Sequence, residues 1–423
     1  MKKALVLGGG GTKGAYQYGA IRALEKLNYK FDIVTGTSIG ALNGCLYAQN
    51  DLDRLYDLWQ NLKMEDILAD KIPDQYDIET LVNNNNLIST FFKNYVKEKG
   101  ADITPFKNNI ANYFDYDHLM ASNIDFGLVT VNYPSLKPEY VLKKDLTREN
   151  GCNYLLASAS CFPAFPICHF DNKAYIDGGY YDNCPIELAF EMGADSVVAV
   201  DLTTKAHHEE YLNFHNITYI IPTSDLGMFL NFDKNTIMRN MILGFHDTYK
   251  AFGIYHGHKY TFKSFNGYDI LSKKLYSSLI RLDSLINKET IRSKKRYIFD
   301  CLKEKNNKAV LSYEDVMLSI VDHFLEMYDY DVCEIYDLDL VLNEIIYRFK
   351  CCKEADYEFM PRNILDIADY IKGLSKHMIV EKLVYQLLYP DNAKLSDSII
   401  LTLFPMEKAM ALFVVLLMGG IKE

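Results

Sequence analysis

The 423-residue sequence predicts an α/β fold, with a mostly parallel sheet covered by helices and a helical region after it. Three observations lead to this prediction. Short apolar runs alternate with helical segments over roughly the first 205 residues. One run, residues 196–201 (SVVAVD), is apolar almost throughout, as in a parallel strand buried on both faces. After about Gly267 glycine becomes scarce, and charged residues alternate with apolar ones at helical spacing.

The individual elements follow from these patterns in chain order. A mostly helical stretch is expected over residues 52–113, between the second predicted helix and the third predicted strand. The predicted strands are 4–7, 32–35, 126–131, 139–142, 174–177 and 196–201, and the predicted helices around them are 15–27, 41–48 and 186–192.

Composition limits the class of protein. The net charge of −11 and the pI of about 5.5 argue against nucleic acid as a main partner, because phosphate binding needs a basic surface. Nine cysteines without a CxxC pair favour reduced thiols in a cytoplasmic protein, and no metal site is expected. The apolar run 409–418 is too short to cross a bilayer, which favours a buried helix over an interfacial one.

A glycine-rich loop follows the first predicted strand, in the sequence LVLGGGGTKG. A P-loop is excluded, because Lys13 is followed by Gly14 where serine or threonine is needed. The dinucleotide pattern G-x-G-x-x-G does fit Gly9, Gly11 and Gly14. Such a site also needs an acidic residue at the end of the second strand, whereas Asp32 begins that strand. A nucleotide-binding protein is therefore kept as an alternative.

The second motif is GTSIG, residues 36–40, between a predicted strand and a helix of small residues. This context fits a nucleophile elbow, in which Ser38 sits on a sharp turn. Gly36 and Gly40 would let the strand and the helix pass close together, and the helix N-terminus would favour negative charge. On the pentapeptide alone, an ordinary strand-to-helix turn is equally consistent.

The third motif is Asp177-Gly178-Gly179, at the end of a predicted strand. A carboxylate can take a serine proton directly when it is held within hydrogen-bond distance. The alternative is that Asp177 is only a turn residue, as Asp-Gly often is. No histidine lies in a loop that marks it as a base, and solvated or packed roles are favoured for His169, His207, His208 and His215.

These three motifs, in this order, resemble the patatin-like phospholipases over about residues 4–205. The flanking segments LLASASCFPAFP and DNCPIELAFEMGADSVVAVDL are also similar to the family. The resemblance implies a three-layer α/β/α sandwich, with Ser38 as the nucleophile and Asp177 as the proton acceptor.

The resemblance also assigns the glycine loop. It implies an oxyanion hole made by backbone N–H groups, which map onto Gly10 and Gly11, with Gly9 beside them. Lys13 stands where many members have arginine, so a cation is kept while bidentate hydrogen bonding is lost.

The implied activity is hydrolysis of lipid esters, of phospholipase A or lysophospholipase type, without cofactor or metal. An acyltransferase or thioesterase of the same fold is the alternative. The expected domains are a catalytic domain, 1–267, and a helical extension, 268–423, that lies outside the resemblance. The extension is a candidate for gating, self-association or peripheral membrane contact, through residues 409–418 and the basic cluster at 292–305.

Overall fold

The computed structural model describes residues 1–69, 101–289, 298–306, 308, 310–350, 374–389 and 404–419. It divides into two compact units, Met1–Phe252 and Gly253–Glu423. The sequence pattern placed this boundary at residue 267. Residues 253–267 instead group with the second unit, because strand Thr261–Phe262 pairs with strand Ile335–Tyr336. Residues 70–100 of the expected helical stretch and 292–296 of the basic cluster lie outside the described residues.

The first unit contains an eight-stranded sheet in its described residues. Each element predicted from periodicity is present within two residues of its expected bounds. The strands are β1 (Lys3–Leu7), β2 (Ile33–Thr37), β3 (Asp125–Asn132), β4 (Lys137–Leu142), β5 (Cys168–Phe170), β6 (Lys173–Asp177), β7 (Ser196–Val200) and β8 (Ile217–Ile220). The helices are α1 (Ala15–Lys26), α2 (Ile39–Ala48), α3 (Leu52–Asn61), α4 (Thr104–Tyr113), α5 (Tyr116–Ala121), α6 (Gly151–Ser158), α7 (Ile186–Glu191) and α8 (Lys234–Ala251).

The sheet is mixed. Strands β8, β7, β1, β2 and β3 are parallel in that order. Strands β4 and β6 pair antiparallel with β3, and β5 pairs antiparallel with β6. The parallel part holds the glycine loop and the GTSIG turn at the carboxyl ends of β1 and β2, the edge at which open α/β sheets place their sites.

Helices cover both faces of the sheet. On one face, Ala4 and Val6 of β1 pack in a cluster with Ile186 and Ala189 of α7. Because successive side chains of a strand alternate, Leu7 points to the other face, where it lies close to α2. The result is the three-layer α/β/α arrangement expected from the sequence.

The second unit is mainly helical, as its sequence pattern predicts. Its core is formed by facing apolar side chains of six described helices. These are α9 (Asp269–Glu289), α10 (Ile298–Asn306), α11 (Tyr313–Met327), α12 (Leu338–Lys350), α13 (Lys376–Leu388) and α14 (Pro405–Leu417). The side chains of 409–415 are buried in this core, so α14 is a core helix and not an interfacial one. Over the described residues, no helix has the length and apolar character needed to cross a bilayer.

Candidate active site

Strand β3 brings the second and third motifs together. Its residue Val129 pairs with Thr37 at the end of β2, and the next residue, Thr130, pairs with Asp177 at the end of β6. Strand β4 pairs with all of residues 127–132, so it occupies the opposite edge of β3. Strands β2 and β6 therefore lie end to end along the other edge of β3. Ser38 follows Thr37 and borders the same cavity as Asp177, close enough for its side chain to lower the pKa of the Asp177 carboxyl.

Ser38 lies on a strained turn. Its backbone has φ 56° and ψ −126°, a conformation that a residue with a side chain rarely adopts. The turn is tight because β1 and α2 are in backbone contact: a Cβ on Gly40 would lie 2.1 Å from the carbonyl oxygen of Leu7. Glycine is therefore required at position 40, as the GTSIG pattern predicts. Gly36 is equally constrained, since a Cβ there would lie 2.4 Å from the carbonyl oxygen of Gly40.

Ser158 ties this turn to the sheet. The backbone N–H of Ser38 donates to Ser158 Oγ over 2.9 Å, and Ser158 Oγ donates to the carbonyl of Val129 over 2.7 Å. The sequence pattern did not single out this residue. It lies in the LLASAS segment at the end of α6, which packs against β3 and β6.

Asp177 is buried, with 6% of its surface exposed. Its carboxylate accepts a hydrogen bond from the Gly179 N–H over 2.7 Å, and the Ser38 side chain lies beside it. Burial raises the pKa of Asp177 to about 6, and its interactions with the Ser38 side chain and the Gly179 N–H limit the rise. A carboxylate with this pKa and a hydroxyl partner can act as a general base near neutral pH. Gly178 and Gly179 form the turn that follows it.

The glycine loop is anchored on both sides. The Gly9 N–H donates to the carbonyl of Asn183 over 3.0 Å, and the Thr12 N–H donates to the carbonyl of Phe229 over 2.8 Å. Gly11 has φ +59°, and a Cβ there would lie 2.0 Å from that same Phe229 oxygen. A side chain at position 11 would therefore displace the loop.

Between these anchors, the backbone N–H groups of the loop differ in their hydrogen bonding. Those of Gly10 and Gly11 have no acceptor among the described residues, whereas that of Gly9 is already paired. Both residues border the same cavity as Ser38. Gly10 and Gly11 therefore lie at the cavity that Ser38 and Asp177 also border.

A network of buried polar side chains hydrogen-bonds to the backbone carbonyls of Gly8 and Gly14, at the two ends of the glycine loop. Gln17 Nε2 donates to the carbonyl of Gly8 over 2.7 Å, and Asn43 Nδ2 donates to Gln17 Oε1 over 2.8 Å and to the carbonyl of Gly14 over 3.0 Å. Trp59 Nε1 completes it by donating to Asn43 Oδ1 over 3.1 Å. The sequence reasoning did not identify this network. A signal was present in Asn43, a polar residue within an otherwise small and apolar helix.

The cation of the loop lies apart from the cavity wall. Lys13 is in the 3₁₀ turn Gly11–Gly14, and its backbone N–H donates to the carbonyl of Gly10 over 3.3 Å. Its amine forms no ion pair within the described residues. No set of three or more His, Cys, Asp or Glu side chains in this part of the chain is arranged to hold a metal ion.

The cavity has a volume of about 400 Å³ and is mainly apolar. Ser38, Asp177 and the glycine loop form its polar end. Apolar and aromatic side chains form the rest of the wall, among them Leu42, Leu46, Trp59, Phe106, Leu155 and Phe165. Such a cavity suits a ligand with a long apolar part and one polar reacting group.

The cavity is not lined by any of the four histidines discussed above as possible bases, which are His169, His207, His208 and His215. His207 Nδ1 lies 2.8 Å from Asp201 Oδ1, and His208 Nε2 lies 3.3 Å from Asp182 Oδ1. The hydrogen bond with Asp182 raises the pKa of His208 to about 9. Both are packed, partly exposed residues, and Asp177 is the carboxylate that borders the cavity together with Ser38.

Asp32 lies at the wrong end of its strand for a dinucleotide site. Its carboxylate accepts a hydrogen bond from the Lys3 N–H over 2.8 Å, at the amino ends of β1 and β2. The glycine loop follows the carboxyl end of β1. This separation disfavours the nucleotide-binding alternative.

Comparison with known proteins shows what part of this chain is similar to. Residues 5–190 match the family described as patatin-like phospholipase. The chain is 29% identical over 200 residues to lysophospholipase nte1 of Aspergillus terreus, a match that covers 47% of this chain and 12% of that protein. It is 28% identical over 204 residues to patatin-like phospholipase domain-containing protein 7 of Rattus norvegicus, covering 48% and 14%.

Among solved structures, VipD from Legionella pneumophila aligns with 100% of this chain and 92% of its own, at 15% identity and a TM-score of 0.37. The match to the two curated relatives spans only 12% and 14% of their length.

Proposed function

From the premise that residues 5–190 are a patatin-like phospholipase domain, we propose that the protein is a serine acyl hydrolase of lipid esters, of phospholipase A or lysophospholipase type. The observation that carries the proposal is that Ser38 and Asp177 border one apolar cavity together with Gly10 and Gly11, whose backbone N–H groups have no acceptor among the described residues. The pair supplies a nucleophile and a base, the N–H groups supply an anion site, and the cavity supplies room for an acyl chain.

The proposed reaction proceeds in two steps. Asp177 accepts the proton of Ser38 as its Oγ attacks the ester carbonyl, and the resulting oxyanion accepts hydrogen bonds from Gly10 and Gly11. As the tetrahedral intermediate collapses, the carbon–oxygen bond to the alcohol breaks, and Asp177 returns the proton to the departing oxygen. Water then attacks the acyl-enzyme, again with Asp177 as base, and releases the fatty acid and free Ser38.

Lys13 has a supporting role in this proposal. It is next to the anion site along the chain and has no ion-pair partner within the described residues. We assign it to stabilising the loop or a lipid phosphate by charge, as a point cation without bidentate geometry. Contact with a lipid surface is also part of the proposal. Tyr180 and Phe229 line the cavity and are 54% and 37% exposed, so they mark its mouth.

The proposal is tested by hydrolysis of a dispersed lysophospholipid and a soluble short-chain ester. Ser38→Ala and Asp177→Asn are expected to lower kcat by about a thousandfold or more on both substrates. Asp171→Asn is the matched control, because Asp171 is exposed and its positive φ suits asparagine. Wild-type rates in both site variants would overturn the assignment.

An acyltransferase or a thioesterase would use the same acyl-enzyme. Mass spectrometry of the products distinguishes these activities, because a hydrolase releases free fatty acid, a transferase yields a new ester, and a thioesterase acts on thioester substrates. A nucleotide-binding protein predicts instead that NAD, FAD or ATP raises the melting temperature, and we expect no shift.

A further inference from the structure

We propose that Asn183, held in place by His207 and Asp201, is the positioning residue of the glycine loop. The inference rests on the proposed function, since it concerns the same two N–H donors. It assigns the Asp–His pair near the active site to orienting the loop and not to proton transfer from Ser38.

Asn183 holds Gly9 at two points. Its carbonyl accepts from the Gly9 N–H over 3.0 Å, and its Nδ2 donates to the Gly9 carbonyl over 3.2 Å. Both backbone polar groups of Gly9 are thereby fixed by one residue. The next two residues along the chain, Gly10 and Gly11, carry the free N–H groups, so their direction depends on this clamp.

The same side chain also contacts the turn that carries the base. A Cβ placed on Gly9 would lie 2.4 Å from Asn183 Oδ1, and one placed on Gly179 would lie 2.7 Å from it. Gly179 in turn donates its N–H to Asp177. Asn183 therefore lies between the proposed oxyanion donors and the proposed base and sets the spacing between them.

The hydrogen-bond partners determine the protonation of the network. The Gly9 carbonyl can only accept, so the Nδ2 side of Asn183 must face it. Nδ2 is also 3.0 Å from His207 Nε2, which must then accept through its lone pair. His207 Nδ1 consequently carries the ring proton and donates it to Asp201, at 2.8 Å from Oδ1 and 2.9 Å from Oδ2.

Asp201 anchors the network to the sheet. It follows β7, is fully buried, and accepts from the Leu202 N–H over 2.7 Å and from the Tyr219 hydroxyl over 3.0 Å. Strand β7 pairs with β1, the strand that leads into the glycine loop. The chain of contacts from Asp201 to Gly9 thus closes on the strand that supports the loop, which limits the rotation of Asn183.

An Asp–His pair beside a serine nucleophile also occurs in Ser-His-Asp triads. Here the free nitrogen of the imidazole faces Asn183, and His207 does not border the cavity. Ser38 instead shares the cavity with the carboxylate of Asp177. The imidazole of His207 therefore orients the side-chain amide of Asn183.

The test combines kinetics with hydrogen–deuterium exchange on the full chain. Asn183→Ala and His207→Phe are expected to lower kcat roughly tenfold or more, because the oxyanion donors act mainly in the transition state. KM should stay within about twofold of the wild-type value. His207→Gln, whose amide oxygen can accept from Asn183, should recover part of the loss. His215→Phe, at an exposed histidine of the same unit, is the control and should match wild type.

Exchange of the peptide that spans residues 8–14 gives a readout that does not need activity. Faster exchange there in Asn183→Ala and His207→Phe, with wild-type exchange in α8, supports the clamp. Unchanged exchange together with unchanged kcat overturns it, even when Ser38→Ala is inactive and the proposed function stands. The wild-type protein could also prove inactive while the two variants exchange faster over residues 8–14. That outcome contradicts the proposed function and leaves the clamp supported. If Asn183→Ala does not fold, His207→Phe and His207→Gln test the clamp instead, because His207 is partly exposed.

Discussion

Asp177 shows how one residue can be both useful and destabilising. Its burial removes water from a carboxylate that accepts a hydrogen bond from the Gly179 N–H and lies beside the Ser38 side chain. The neutral form is therefore favoured in the folded protein relative to the unfolded chain, and the raised pKa records this preference. Two predictions follow at this scale, one for the rate and one for the stability.

The rate of ester hydrolysis should depend on the ionisation of Asp177. Its pKa of about 6 predicts that kcat/KM rises with pH through about 6 and then levels off, because only the carboxylate form accepts the Ser38 proton. The measurement is kcat/KM on a soluble ester whose own hydrolysis is pH-independent over this range. A profile that is flat from pH 5 to 8 would contradict Asp177 as the base.

The stability should change in the opposite sense. Because burial raises the pKa of Asp177 above its ordinary value of 3.8, the folded state binds more protons than the unfolded state between pH 4 and 6. Folding is then penalised by up to about 3 kcal/mol above pH 6, and the penalty disappears as the pH falls below 4.

Asp177→Asn should remove this penalty. Its melting temperature is expected to exceed that of wild type at pH 7.5, with a smaller difference at pH 5, while activity is lost. Thermal melts at the two pH values check this. Asp171→Asn is again the control, and a lower melting temperature for Asp177→Asn at pH 7.5 would show that its carboxylate is stabilising.

At the scale of elements, the site depends on the register of β3. Adjacent residues of this strand pair with the ends of β2 and β6, so Ser38 and Asp177 are placed by backbone hydrogen bonds and not by long side chains. The Ser158 hydroxyl of α6 then joins the Ser38 N–H to the Val129 carbonyl at the same point.

Loss of the Ser158 hydroxyl should affect both folding and rate. Ser158→Ala removes the side-chain acceptor of the part-buried Ser38 N–H and the hydroxyl that donates to the buried Val129 carbonyl, which is expected to lower the free energy of unfolding by about 1–3 kcal/mol. It should also lower kcat, because the turn of Ser38 loses its anchor. Denaturant unfolding and steady-state kinetics measure the two effects.

Ser160→Ala is the matched control for this variant. Ser160 is equally buried, but its hydroxyl donates to the carbonyl of Leu156 in the same helical segment and does not reach Ser38. It should lower stability while kcat stays near the wild-type value. A kcat loss of equal size in both variants would show that the Ser158 anchor has no special role.

Elements with clear periodicity could be predicted from the sequence, and so could the motifs between them. Strands β5 and β8 could not, because CHF and ITYI are short and mix polar with apolar residues. The sequence also did not predict where Ser158, Asn183 and the Gln17–Asn43–Trp59 network lie. Their partners are distant along the chain and are set by strand register, which no local pattern records.

At the scale of the whole molecule, all three motifs belong to the first unit, and the family match ends within it. The second unit has an apolar core of its own, built from residues between Tyr260 and Val415. Its sequence lies outside the matched region, and we propose it as a separate helical domain. Gating and self-association of that domain stay predictions of the sequence.

The chain contains a single tryptophan, and it reports on the cavity. Trp59 is buried, lines the cavity and donates through Nε1 to Asn43. An ether-linked lysophospholipid, which cannot be hydrolysed, should change the fluorescence emission of the Ser38→Ala variant as its alkyl chain fills the cavity. Glycerophosphocholine, which lacks the chain, should leave the emission unchanged. Equal responses to both ligands would contradict the cavity as the acyl-chain site.

The central claim is that Ser38 is the residue that becomes acylated, with Asp177 as its base. The most direct measurement is mass spectrometry of peptides after reaction with a lipid-like fluorophosphonate, in wild type, Ser38→Ala and Asp177→Asn. We predict one adduct, on the peptide that contains Ser38, absent from Ser38→Ala and formed far more slowly in Asp177→Asn. An adduct on another residue, or equal labelling of wild type and Asp177→Asn, would contradict the account.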